Sequence, residues 1–119
     1  MIPKQYRLKK RTAFQATYRV KNSTHSGGVT LFAGIKKKEN FPTKVGFVVS
    51  KKVHKRAVKR NRLKRLMRES YRLLLKEGTL GDSQKYVSLI FLGTDKALGK
   101  DFAHIKSSIK KLVERIQDD

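Results

Sequence analysis

Residues 51–72 read KKVHKRAVKRNRLKRLMRESYR, and the fold turns on how this stretch is understood. No acidic residue stands between Glu39 and Glu69, while lysine or arginine occupies 44, 51, 52, 55, 56, 59, 60, 62, 64, 65 and 68. A block of one sign is either a solvated tail or a surface for a polyanion. Its second half carries Leu63, Leu66, Met67, Ser70, Tyr71 and Leu74 at i, i+3, i+4, i+7, i+8 and i+11, which is helical spacing. At ~100° per residue these positions form one stripe that can pack on a core. Asn61, Arg65, Arg68 and Arg72 fall on the other side, with Arg62 and Lys64 on the flanks. Arg60 projects near the edge of the stripe, where its stem can pack while its head snorkels. The stretch is predicted to be an amphipathic helix with an arginine-rich outer face.

The remaining chain must supply the core for that helix. With 119 residues it fits one domain spanning 1–119. The net charge of +21 is unevenly placed: residues 1–68 hold 21 Lys/Arg against Glu39 alone, and residues 69–119 hold 9 against 8 acids. This asymmetry marks a polyanion-binding face. Cysteine is absent, which excludes a disulfide framework and a thiolate metal site. His25, His54 and His104 are dispersed and offer no ligand cluster. No apolar run reaches membrane-span length, and the N-terminus lacks the apolar stretch of a signal peptide. A cytoplasmic setting is the expectation.

In chain order, Met1 to Arg11 reads as a basic arm, free over residues 1–5. A short helix is predicted from Thr12, because Thr12 and Gln15 have capping-box spacing. Phe14 and Tyr18 then share one face. Such rings are either core or a stacking platform for single-stranded nucleic acid. Lys21 to Gly28 reads as a loop on its Ser26-Gly27-Gly28. Val29 to Lys36 alternates as a strand, with Val29, Leu31, Ala33 and Ile35 on one face and Thr30, Phe32 and Gly34 on the other. Lys36 to Pro42 reads as a solvated hairpin tip. Lys44 to Ser50 is a second strand, and Ser50 to Val53 leads into the basic helix. That helix has no good side-chain cap, so its free amides among Lys51, Lys52, Lys55 and Arg56 would suit a phosphate. Gly78 to Lys85 is a turn, and Tyr86 to Leu92 is a buried strand. Asp101 caps a last helix whose Phe102, Ile105, Ile109, Leu112, Val113 and Ile116 form a stripe. Helix, strand, strand, basic helix, strand, helix predicts an α+β fold, a two-layer sandwich of helices on a small sheet.

The chemistry points to binding. A metal-dependent nuclease needs clustered carboxylates, and the basic block has none. No motif supports a Ser-His-acid triad, and no GxxxxGK loop is present. Arg60-Asn61-Arg62 with Lys64-Arg65 adds planar donor forks to point charges, which favours phosphates and base edges. An RNA scaffold protein of ribosomal type and a DNA-binding module with a recognition helix share the charge and size. An autonomous nuclease fits worst for lack of acids.

At these residues the chain resembles a family. Arg60-Asn61-Arg62-x-Lys64-Arg65, followed by Leu66, Arg68 and Tyr71, is similar to the signature helix of the bacterial ribonuclease P protein component. Arg7-Leu8, Phe14 and Tyr18 are similar to that family's N-terminal segment, and Val45-Gly46 with Ser50-Lys51-Lys52 to its strand before the signature helix.

The resemblance implies a mixed sheet with one further short strand ahead of the helix and a left-handed strand–helix–strand crossover, against the usual hand. It implies that Arg56, Arg60, Asn61, Arg62, Lys64, Arg65 and Arg68 dock on a catalytic RNA. It also implies that Phe14, Tyr18, Phe32 and Val48 line a cleft for the 5′ leader of precursor tRNA, with Lys51 and Lys52 near its rim. Hydrolysis would belong to the RNA and its Mg2+ ions, with no catalytic residue, cofactor or metal on the protein alone. Neither a membrane nor an obligate protein partner is implied. Two positions depart from the family pattern: Leu92-Gly93 stands where a basic residue is common, and Lys85 where an acid is common.

Overall fold

The structure is a computed structural model and describes residues 2–116. Its elements are α1 (Arg11–Val20), β1 (Asn22–Ser26), β2 (Val29–Ala33), β3 (Lys44–Val48), α2 (Ala57–Glu77), β4 (Ser88–Gly93) and α3 (Phe102–Arg115). The strands form one mixed sheet in the order β1-β2-β4-β3, as the α+β expectation requires. The β1–β2 and β2–β4 pairs are antiparallel, and β3–β4 is parallel. A parallel pair needs a crossover, and α2 provides it.

The basic stretch is a helix with its stripe turned inward. Leu63, Met67, Ser70, Tyr71 and Leu74 are buried, and Leu66 packs partly on the core. The α3 stripe buries Ile105, Ile109, Leu112 and Val113. Asp101 caps α3, its Oδ1 accepting from the His104 amide at 2.9 Å. Both helices pack on the sheet face that carries Val29, Leu31, Ala33, Val45, Leu89 and Phe91, each at most 2 % exposed. Phe47, Tyr71 and Phe91 join there, with ring centroids 5.6–6.0 Å apart. Helix α1 lies on the opposite face, so the sheet carries helices on both sides.

Several expectations are corrected. The N-terminal arm is anchored at Ile2 and Leu8, with Pro3, Lys4 and Gln5 exposed between them, and Met1 lies outside the described residues. Ile2 is 2 % exposed, and its carbonyl accepts from Arg7 Nε at 2.9 Å. Leu8 N–H donates to the Val45 carbonyl at 2.9 Å, so the arm covers the β3 edge, which would otherwise present unpaired backbone groups. Helix α1 begins at Arg11 with Lys10 as N-cap and no side-chain cap, so Thr12 sits inside the first turn.

Lys21 to Gly28 is not a loop: Asn22–Ser26 is strand β1. Gly27 and Gly28 have φ of 58° and 90°, and positive φ at both central residues makes the two-residue turn that suits a twisted hairpin. Lys36 to Pro42 is not a hairpin tip, because β4 lies between β2 and β3. Strand β2 ends at Ala33, which leaves Ile35 62 % exposed instead of facing the core.

Candidate nucleic-acid interface

The sheet face under α1 is built in rows by strand register. Ser23, Phe32, Ile90 and Gly46 form one row across the four strands, and His25, Thr30, Leu92 and Val48 form the next. Helix α1 covers much of the first row. Ile90 is fully buried, and Phe14 fills the space over Gly46, whose missing Cβ would stand 2.5 Å from the ring. Tyr18 meets Phe32 edge to face at 4.9 Å. Next to Tyr18, Thr17 shares a buried hydroxyl–hydroxyl hydrogen bond of 2.5 Å with Ser88.

The second row is left partly open: Thr30, Leu92 and Val48 are half-buried. Phe14, Tyr18 and Phe32 are half-buried too, and burial raises the Tyr18 hydroxyl above its ordinary pKa. Half-buried rings beside an open strip of sheet have the chemistry of a stacking platform for unpaired bases. The strip and the rings are thus brought together, with Phe14 and Tyr18 each touching different strands. Lys51 and Lys52 follow β3 in an exposed turn, closed by the Val53 amide on the Ser50 carbonyl at 3.1 Å. They rim the Val48 end, but they precede the helix, which starts at Ala57.

The basic residues of α2 differ in what holds them. Arg56 is its N-cap residue and makes no side-chain cap bond; its amide donates to His54 Nδ1 at 3.0 Å. The half-buried Arg60 is held by backbone. Its Nη1 donates to the His54 and Lys55 carbonyls, both at 2.8 Å, and clamps the turn before the helix. Arg62 Nη2 donates to the Lys100 carbonyl at 3.3 Å. Asn61, Arg65 and Arg68 are exposed, and Lys64 is half-buried. Arg72 is spent on Glu69 at 2.5 Å, and that hydrogen bond holds the Glu69 carboxyl below its ordinary range.

Leu63 packs on Gly93, where a Cβ would stand 2.7 Å from Leu63 Cδ2. The first turns of α2 therefore lie at the strand ends that carry the open row. Further along, Arg68 joins Arg7, Lys9 and Phe14 around a cavity of about 200 Å³ at the β3 edge. The helix face and the aromatic strip thus communicate around that edge.

A larger cavity of about 580 Å³ was not expected from the sequence. His25, Gly27, Gly28, Thr30, Thr94, Asp95, Lys96, Lys100 and His104 line it. His25 and His104 are 79 positions apart, and only the β1–β2 turn docking on α3 brings them together. Alternation within Asn22–Ser26 would have been the signal, had any of its residues been apolar. No three His, Asp or Glu side chains among the described residues form a metal cage. No helix among them is long and apolar enough to cross a membrane.

A family model, Ribonuclease P, matches residues 2–117. The chain belongs to the ribonuclease P protein family. It is 34 % identical to the ribonuclease P protein component of Synechococcus sp. over 97 % of this chain and 84 % of that one. The corresponding protein of Clostridium kluyveri is 33 % identical over 92 % of this chain and 93 % of that one. Among solved structures, the fold matches the RNase P protein of Staphylococcus aureus with a TM-score of 0.76, at 24 % identity over 95 % of this chain and 98 % of that chain. The Thermotoga maritima RNase P protein also gives 0.76, at 22 % identity over 94 % and 98 %.

Proposed function

We propose that this chain is the protein subunit of the ribonuclease P ribonucleoprotein and assists endonucleolytic removal of the 5′ leader from precursor tRNA. The observation that carries the reading is the pairing of two surfaces. One is the outward, weakly engaged basic face of α2 with Asn61, Arg65 and Arg68; the other is the aromatic strip of Phe14, Tyr18 and Phe32 on the opposite sheet face. The first suits a structured RNA with closely spaced phosphates. The second suits a single strand whose bases are free to stack.

In this reading α2 docks on the catalytic RNA. Arg56, Arg62 and Lys64 flank the contact, while Arg60 shapes the turn that enters it. The leader lies over Val48 and the open row beside the rings, and Lys51 and Lys52 meet its phosphates. Bond cleavage would fall to the RNA, where bound Mg2+ would supply the Lewis acid. The chain's own residues bind, orient and lower phosphate repulsion around those ions. The setting is cytoplasmic, and no further protein is required.

The test is cleavage of precursor tRNA at low magnesium by catalytic RNA alone, by protein alone and by both. Efficient cleavage only by the pair is expected. Leader removal by the protein alone, surviving treatment that destroys contaminating RNA, would overturn the assignment of chemistry to the RNA. An RNA whose cleavage and substrate affinity ignore the protein would overturn the subunit reading.

A further inference from the structure

The open row crosses the whole sheet. It runs Val48, Leu92, Thr30, His25, over three strand-to-strand steps of about 4.8 Å, or ~14 Å in all. Lys51 and Lys52 stand beyond its Val48 end. At the other end Thr30 and His25 belong both to the row and to the lining of the 580 Å³ cavity. We propose that this cavity is a phosphate-holding subsite for single-stranded RNA, and that its occupant is the part of the precursor leader that has crossed the sheet. The proposal rests on the leader reading above and extends it by a site on the far side of the strip.

The lining has suitable chemistry. Lys96 and Lys100 are exposed and make no ion pair among the described residues, so their ammonium groups are uncommitted. The imidazoles of His25 and His104 add ring nitrogens. His104 Nε2 lies 3.1 Å from the Gly27 carbonyl, which fixes that ring against the turn. Asp95 is the one acid of the lining. It opposes an anion, and that opposition makes a test possible.

The walls are set before any ligand arrives, which lowers the cost of binding. Thr94 Oγ1 donates to the Gly28 carbonyl at 2.7 Å. The turn also sits so close to the next segment that a Cβ at Gly28 would stand 2.6 Å from the Ala97 nitrogen. On the outer side, the Lys100 carbonyl accepts from Arg62. A strand leaving the strip through this cavity would therefore emerge beside the helix that faces the catalytic RNA.

The experiment uses holoenzyme assembled from the full chain and the catalytic RNA. Affinity is measured for precursor tRNA with a long leader, for precursor tRNA whose leader is cut back to the aromatic strip, and for mature tRNA. The affinity of the protein for catalytic RNA alone is measured beside them. The Lys96→Ala/Lys100→Ala variant should lose ~10-fold in affinity for the long leader only, with a salt slope lower by about two. Asp95→Asn should change affinity the other way, tightening the long-leader complex alone, which damage to the fold would not do. Equal losses on long and short leaders, or a loss confined to the catalytic RNA, would assign the lysines to another RNA and overturn the proposal. So would affinities that neither variant changes. Phe14→Ala separates the two levels. If it gives a leader-dependent loss while the cavity variants give none, the strip stands and the cavity is rejected. If no variant gives a leader-dependent loss, the leader reading itself fails.

Discussion

The ring of Phe14 lies on the backbone of Gly46, so close that a Cβ at Gly46 would stand 2.5 Å from ring carbon Cζ and 2.6 Å from Cε1. Helix and strand can approach this far only because residue 46 has no side chain. Gly46→Ala must push Phe14 out of place, and overpacking of this kind costs about 1–3 kcal/mol. Because the displaced ring flanks the strip, the variant should also bind leader-bearing precursor tRNA more weakly while its affinity for mature tRNA holds. Adding Phe14→Ala removes the clash, so the double variant should be more stable than the sum of the two single losses predicts. Additive losses in urea denaturation would mean that the ring has room to move.

Arg65 and Arg68 are exposed with no hydrogen bond or ion pair among the described residues, whereas Arg72 is bonded to Glu69. Arg65→Ala and Arg68→Ala should each weaken binding to catalytic RNA and lower the salt slope by about one. Arg72→Ala should do less, because its guanidinium is already matched. Glu69→Gln should tighten RNA binding by releasing Arg72. Filter binding over a salt series, with circular dichroism as the fold control, checks all four. An Arg72→Ala loss as large as that of Arg65→Ala would show that the Glu69 pair opens on binding.

Tyr71 gives a pH signature. Its ring is fully buried against Phe47 and Phe91, and its hydroxyl accepts from Gln84 Nε2 at 3.0 Å. Burial pushes its pKa up to about 12, partly offset by that hydrogen bond, against ~10 for an unfolded tyrosine. The folded state therefore holds this proton more tightly than the unfolded chain. The associated stability is complete below pH ~10 and is lost as pH rises towards 12. Tyr71→Phe should lose about 1 kcal/mol at neutral pH through the missing hydrogen bond. The gap to the parent should then close or reverse as the pH rises above 10. A gap that stays constant in urea titrations over that range would mean the hydroxyl does not ionise on unfolding.

What the sequence made legible follows from where the physics is local. The α2 and α3 stripes are periodic in apolar residues, and their inward faces were readable for that reason. The apolar run from Tyr86 to Leu92 was readable as a buried strand too, although β4 itself spans Ser88–Gly93. Strand β1 was not, since Asn22–Ser26 has no apolar residue; it is a strand because the Gly27-Gly28 turn folds it onto β2. The packing of Ile2 depends on a β3 edge far along the chain. Among the site residues, Phe32 and Val48 fall on one sheet face as strand alternation implied, while Phe14 and Tyr18 reach that face from α1, a meeting that the family resemblance and no local pattern carried. The cavity shared by His25, Lys96, Lys100 and His104 joins segments whose proximity no local pattern encodes. Arg60 was read from its helical angle alone, and angle cannot reveal that carbonyls of the preceding turn lie within reach.

Arg60 separates two kinds of basic residue within one motif. Its Nη1 holds the carbonyls of His54 and Lys55, and the side chain is half-buried. Arg65, five residues on, is exposed. Arg60→Ala strips two carbonyls of a charged donor and should cost about 1–3 kcal/mol of stability. Arg65→Ala should stay within about 0.5 kcal/mol of the parent, as surface changes generally do. Both should weaken binding to catalytic RNA, by different routes. Arg65→Ala removes a phosphate contact and reduces the salt slope by about one. Arg60→Ala loosens the turn that carries Lys55 and Arg56, so affinity should fall while the slope changes by less. Arg60→Lys keeps the charge but not the planar fork that reaches both carbonyls at once, and it should recover the slope without recovering full stability. An Arg60→Ala protein as stable as the parent, with a full unit lost from the salt slope, would make this side chain a phosphate contact and remove its role as a clamp.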